Sequence, residues 1–412
     1  MKSYLNSYFD NFKGFSREVW VLTLITYINR TGAMVMPFLT KYLNEGFFFS
    51  LQEIGWMLPC IGLGSLVGSW LGGKLTDKIG FYTIMLSSLF LTGFGIIALM
   101  FLYDFTELCI GLFLITAIAD MYKPAMYVAV SNFTDGKNRT RALTLIRLAV
   151  NLGIVSGPVI AGLLVQENNY DLLFWIDGIT CLIAISAFML LIDESKMYKA
   201  RKKIQQKRNK EIISKSTRYD SNFILFLFAS FITAFLFFQL FTTIPLYNTQ
   251  KLKLSELEIG MLLALNGLLI FLFEMPLIGI LEKKKYEATK IILAGSVFMT
   301  LGFFCLLISK SIVIMALSIF FITLGQILLF SFSNTFAFTR AISGHEGKYM
   351  ALYTMSFSVA QITSPKVGFS VIVSFSYFSN WLLMGVVGLV GISLYYILDK
   401  KIKLETIQKN MS

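Results

Sequence analysis

The sequence predicts an all-α integral membrane protein of twelve transmembrane helices arranged as two six-helix pseudo-repeats. Three observations carry this. First, 56% of the 412 residues are hydrophobic and only 15% are charged, against about 25% charged in soluble chains. Second, the apolar residues fall into runs of about 20 or more, the length a helix needs to cross a bilayer and twice what a barrel strand uses. Third, the rhythm of runs breaks once, at residues 193–220, where ten basic residues replace the apolar pattern.

The expected spans of the first half are 19–41, 52–72, 81–102, 107–131, 142–165 and 171–192. Those of the second are 222–247, 257–281, 287–309, 312–335, 350–374 and 380–398. The organisation read from this is a first bundle at 1–192, a basic linker at 193–220 and a second bundle at 221–412. Lys and Arg concentrate in the segments that are cytoplasmic if both termini are inside, which fixes that orientation. Residues before the first span lack the short apolar core and small-residue site of a cleaved leader, so the first span is read as an anchor. The expected place is the inner (plasma) membrane, crossed many times.

The net charge of +12 is mostly topogenic and gives no support to nucleic-acid binding. Cys60, Cys109, Cys181 and Cys305 lie in or beside apolar spans without metal-ligand spacing and read as small hydrophobes. The single histidine, His345, sits in an expected loop without partners for a metal. No GxxxxGK[ST] run supplies a nucleotide site. No catalytic residue, metal or cofactor is expected, and an enzyme or sensor is disfavoured because no soluble domain stands outside the linker.

The halves echo one another. Ser50-Leu51-Gln52-Glu53-Ile54-Gly55 matches Ser255-Glu256-Leu257-Glu258-Ile259-Gly260, and the same offset pairs Gly62 with Gly267, Asp77 with Glu282 and Lys78 with Lys283. Two residues more pair Arg141 with Lys348 and Pro158 with Pro365. A nearly constant offset over several elements is the mark of a duplicated transporter unit.

The stretch between spans 2 and 3 reads Gly73-x-x-x-Asp77-Lys78-x-Gly80, and span 5 holds Gly153-Ile-Val-Ser-Gly157-Pro158-Val-Ile-Ala-Gly162. With six plus six spans and a basic central loop, the chain resembles the major facilitator superfamily over nearly its whole length. Its span 5 motif resembles that of the proton-coupled drug and small-molecule exporters. It departs from the pattern at Ala161 and at Phe81-Tyr82, where a glycine and basic residues are usual. The resemblance implies alternating access without enzymatic chemistry, with spans 1, 4, 7 and 10 lining the cavity. It also implies that Asp77 latches the halves in the outward-facing state.

The residues themselves support a division of labour. The glycines around Asp77 are expected to form a tight turn, with Asp77 accepting N–H groups at a helix N-terminus or meeting Lys78 or Arg141. Small residues in span 2 (Gly62, Gly64, Ser65, Gly68, Ser69 and Gly72) and in span 5 (Gly153, Ser156, Gly157 and Gly162) allow close helix approach, and Pro158 bends span 5. Asp77, Arg141, Gly153, Gly157, Pro158 and Gly162, together with Gly73, Lys78 and Gly80, form the expected conformational gate.

Charges within spans are costly in lipid and so are expected to face a cavity or each other. Glu274 is the first choice for proton coupling and Asp120 the second. Arg30, which shares a face with Tyr27, is expected at the cavity. Lys123, three residues from Asp120, pairs with it or faces substrate. Arg147 and Asn151 share a face of span 5. Asn266, Gln239, Gln326 and Gln361 either contact substrate or join helices. Asp177 reads as a structural partner, and Lys366 reaches the interface.

The function expected is proton-coupled antiport, multidrug-type export of a small amphipathic or lipophilic molecule. The alternative is a proton symporter importing a sugar, acid or peptide, an anionic solute being favoured by Arg30, Lys123 and Arg147. Expected partners are the small-molecule substrate, protons and membrane lipids, with the chain a monomer.

Overall fold

The computed structural model describes residues 12–33, 35, 39, 42–43, 48–49, 51–134, 138–165, 171–192, 220–254, 256–284, 286–342 and 345–411. The basic linker expected at 193–220 lies outside these residues except for Asp220. The described residues form helices joined by short connections, in two compact units. Among the described residues, eight segments are long and apolar enough to cross a membrane.

One unit spans Gly14–Ser216 with Ala341–Ser358. Its helices are α1 (Arg17–Gly32), α2 (Leu51–Ile79), α3 (Phe81–Ala98), α4 (Phe105–Asp120), α5 (Tyr122–Asn132), α6 (Arg139–Val165) and α7 (Asp171–Leu191). Ser16 caps α1, its hydroxyl accepting from Val19 N, and Asp104 caps α4 through Thr106 N at 3.0 Å. Helix α2 packs on α4, α3 on α7, and α1 on both α6 and α7. At one end, Leu43, Met57, Leu112, Leu173 and Phe174 close an apolar core.

The other unit holds Thr217–Arg340 and Val359–Ser412 with Met1–Lys13. It contains α8 (Ser221–Gln239), α9 (Thr243–Gln250), α10 (Glu256–Lys283), α11 (Ala288–Cys305), α12 (Ile312–Arg340) and α14 (Tyr377–Met411). Helix α13 (Glu346–Ser374) starts in the first unit and ends in this one. Helix α11 packs on α12 and α14, α8 on α14, and α10 on α12. Asp220 caps α8 and is gripped by Arg340, which also reaches Glu405 at 2.7 Å. Trp381 is buried against Tyr247 and Phe303.

The duplication is visible in the helix bounds. Leu51 and Glu256, the starts of α2 and α10, are 205 residues apart, and Arg139 and Glu346, the starts of α6 and α13, are 207 apart. These are the offsets of the sequence echo.

Three expectations need correction. The glycines at 72 and 73 do not make a turn: α2 runs helical through Ile79, and only Gly80, at φ 95°, reverses the chain. Spans 4 and 7 are each broken. Pro124 and Pro245 have no N–H to give the carbonyls of Asp120 and Phe241, so the ladder fails there and a new short helix begins. At the second break the N–H groups of Leu240, Phe241 and Thr242 turn to carbonyls three residues back.

Large side chains are exposed over much of the surface, among them Trp56, Phe101, Phe228 and Phe378. A surface this apolar is solvated by lipid, not by water.

Candidate transport and gating sites

The acid to which the resemblance assigns a latching role, Asp77, lies in the first unit. Asp77, in the last turn of α2, accepts from Gly347 N at 2.7 Å and from Lys348 N at 2.9 Å. It therefore caps α13 from another helix, offering negative charge to two otherwise unsatisfied N–H groups. The approach depends on Gly73 and Gly347: a Cβ on Gly73 would strike the Gly347 carbonyl and Ala351, and one on Gly347 would strike Asp77. Arg141 stacks on Phe15 at 5.1 Å and donates to Asn138 at 3.3 Å. Burial lowers the pKa of nearby Arg139, with the charge of Glu346 opposing the shift.

The glycine spacing of α2 serves close helix approach, as expected, and α4 is the helix it meets. Gly64, Gly68 and Gly72 lie against Phe113, Ala117 and Met121, so a four-residue stripe on α2 meets a four-residue stripe on α4 and its end. Gly153 and Gly157 of α6 do the same against Arg30 and Thr31 of α1, where Ser156 and Thr31 also share a hydrogen bond of 3.1 Å. The backbone of α6 continues helical through Pro158 and Gly162, whose side-chain surroundings lie outside the description.

Asp120 forms the centre of a buried polar chain. Its carboxylate accepts from Lys123 Nζ at 2.7 Å and from the Ser65 hydroxyl, and Ser65 meets the Ser358 hydroxyl at 2.9 Å. Of the two readings open for Lys123, pairing is the arrangement observed. Arg30, Arg147 and Asn151 are half-buried and Tyr27 is exposed. Asp177 is buried beside Val35 N at 3.5 Å.

In the second unit Glu274 is wholly buried on α10, where its Oε1 accepts from Ser331 of α12 at 3.0 Å. Two turns earlier Asn266 donates to Thr323 at 2.7 Å and to Gln326 at 3.1 Å. Glu274 and Asn266 thus belong to one polar seam between α10 and α12. The offset of 205 places Glu274 on Ser69 of α2, so the carboxyl stands where the first half has a small hydroxyl.

Gln239 acts as helix glue. Its amide nitrogen donates to the Ser364 carbonyl at 2.8 Å and to the Ser364 hydroxyl at 2.9 Å, while its oxygen accepts from Thr243. Gln361 and Lys366 are exposed. Sequence reasoning singles out none of Ser331, Ser358 and Ser364, and places Ser65 only among the small residues of span 2. Their only signal was a hydroxyl on an otherwise apolar span, which reads as packing until its partner on another helix is known.

The Major Facilitator Superfamily model matches residues 19–365. The chain belongs to this superfamily. It is 26% identical over 290 residues to the class H tetracycline resistance protein of Pasteurella multocida, covering 69% of this chain and 72% of that one. It is 20% identical over 411 residues to a Na(+), Li(+), K(+)/H(+) antiporter of Planococcus maritimus, covering 91% and 95%. The crystal structure of the human organic anion transporter MFSD10 superposes with a TM-score of 0.73 at 14% identity, over 92% of this chain and 99% of that one. The structural likeness establishes the fold. The protein is accordingly a multi-pass membrane transporter and not an enzyme.

Proposed function

We propose that this transporter works by alternating access and exports a small amphipathic or lipophilic molecule in exchange for protons across the inner (plasma) membrane. The proposal takes the fold as twelve spans with cytoplasmic termini, two bundles at 1–192 and 221–412 moving about the 193–220 linker, and a monomer as the working unit.

The observation that carries the proposal is Glu274, a carboxyl with no exposed surface held by a serine hydroxyl between two apolar helices. A carboxyl in such a site changes its proton affinity when water enters, and a hydrogen-bonded neighbour keeps it placed in either state. Asp120, held by Lys123 and Ser65, is the second proton-carrying group. Arg30 orients the substrate or tunes the carboxylates from α1. Tyr27, Arg147, Asn151, Asn266, Gln326 and Gln361 complete the groups assigned to substrate. The drug-resistance relative and the proton-exchanging relative both favour export over import. Three cations favour an anionic solute for the import alternative, and Lys123 is paired with Asp120, which leaves two of them.

The test is transport by the purified protein in proteoliposomes with an imposed pH gradient, screening cationic dyes and small organic acids. Accumulation driven by the proton gradient supports the reading. Movement only down the compound's own gradient contradicts coupling, and co-movement of proton and solute in the same direction contradicts export by exchange.

A further inference from the structure

A cavity of about 500 Å³ lies beside Asp77, between the end of α2 and the start of α13, and the transport reading makes no use of it. Its upper wall carries Lys74, Lys78, Lys348 and His345, together with the Asp77 carboxylate. Its lower wall is apolar: Trp70 from α2, and Ala351, Leu352 and Met355 from α13. Asp77 already gives both carboxylate oxygens to the α13 N–H groups. Among the described residues, the three lysine ammonium groups are committed to no ion pair; Lys74 only overlies the Trp70 ring at 5.2 Å.

The position of this cavity relative to the bilayer follows from α2. Trp56, Leu63 and Trp70 are exposed at seven-residue intervals, at 68%, 49% and 48%, which puts them on one face of the helix. That face continues into Lys74 and Lys78. Such a face is lipid-solvated up to Trp70, an aromatic anchor of the kind found at the headgroup level, and leaves the hydrocarbon between Trp70 and Lys74. The lining residues of α13 repeat the order: Lys348 lies above, with Leu352 and Met355 one and two turns below. Two helices therefore present a slot whose charged end lies at the interface and whose apolar end descends into the membrane.

We infer that this slot binds one anionic phospholipid, with its phosphate between Lys74, Lys78 and Lys348 and its acyl chains along Trp70, Leu352 and Met355. Charge complementarity selects an anion: three uncommitted ammonium groups converge on a space whose single carboxylate is already satisfied. The apolar lower wall selects a lipid over a free phosphate, because a soluble anion leaves that wall uncovered. The bound lipid would sit against the Asp77–Gly347 contact.

The experiment is native mass spectrometry of the detergent-solubilised full chain titrated with phosphatidylglycerol or phosphatidylcholine, with sn-glycerol 3-phosphate as soluble competitor. The proteins compared are wild type, Lys74→Gln/Lys78→Gln/Lys348→Gln, the corresponding triple Lys→Arg variant, and a control with Lys251, Lys253 and Lys310 changed to Gln. One phosphatidylglycerol should be held at least ~10-fold more tightly than phosphatidylcholine, since each lysine near an anionic lipid contributes several-fold. The first variant should lose that preference, while the Arg variant and the control keep it. Equal retention of phosphatidylglycerol by wild type and the first variant overturns the proposal. Displacement of the lipid by millimolar glycerol phosphate overturns the lipid assignment in favour of a soluble phosphate.

Discussion

Replacing Asp77 by alanine should release the start of α13 from α2. The carboxylate accepts two backbone N–H groups, at 2.7 and 2.9 Å, in the first turn of α13. Charge-assisted bonds of this kind contribute about 1.5–3 kcal/mol each when buried, but Gly347 N is only partly buried and Lys348 N is exposed, so water replaces much of what is lost. The measured loss on removing a helix cap, about 0.5–2 kcal/mol, is the better guide. A loss of about 1–2 kcal/mol corresponds to roughly 5–30-fold in an opening equilibrium. Hydrogen–deuterium exchange of the peptide covering 345–358 reads this directly, because amide exchange scales with the open population. Asp77→Ala should speed exchange there by about that factor and leave α11 and α14 unchanged. Asp77→Asn, which keeps one acceptor oxygen without the charge, should fall between. Unchanged exchange at 345–358 in Asp77→Ala would refute the cap as the holding interaction.

Gly73→Ala places a methyl against the Gly347 carbonyl and Ala351, so it should mimic Asp77→Ala in the same exchange measurement even though Asp77 is intact. Gln239→Leu removes the donor to two Ser364 oxygens in a site with no exposed surface; an unfolding scan in detergent should show a loss of about 1–3 kcal/mol. Arg340→Ala breaks the contacts to Asp220 and Glu405, whose side chains are roughly one-fifth to one-third exposed, so about 1–2 kcal/mol is expected after screening. Faster proteolysis after residue 398 checks it. Arg340→Lys should not restore protection, since an ammonium cannot hold both carboxylates with the geometry of the guanidinium.

The regular part of the fold was legible because lipid imposes it: every backbone polar group must be satisfied within a span, so apolar length marks eight of the helices among the described residues. The duplication was legible for a similar reason, since the offsets of 205 and 207 that align short motifs also align the starts of α2 with α10 and α6 with α13. What could not be read was which helix each small residue meets. Gly72 and Gly73 look like turn residues in a chain where charge interrupts hydrophobicity, yet they sit in a helix because Met121 on one side and Gly347 on the other need the space. Pro124 and Pro245 lay inside long apolar runs, and hydropathy does not register a missing N–H. For Asp77 the sequence reduced the possibilities to an N–H cap or a basic partner, and the fold supplies Gly347 and Lys348, some 270 residues away. For Asp120, the pairing with Lys123 followed from helical spacing, whereas Ser65 and Ser358 are neighbours only through tertiary packing.

In the proposed mechanism buried carboxyls couple substrate movement to protons, a step that separates from substrate binding. Once a transported compound is identified, two modes are measured in the same proteoliposomes: substrate counterflow at equal pH, which needs binding and alternating access alone, and uphill movement driven by a pH gradient. Glu274→Gln, which keeps the shape and an acceptor for Ser331, should retain counterflow and lose uphill transport. Uphill transport by Glu274→Gln equal to that of wild type would contradict the account.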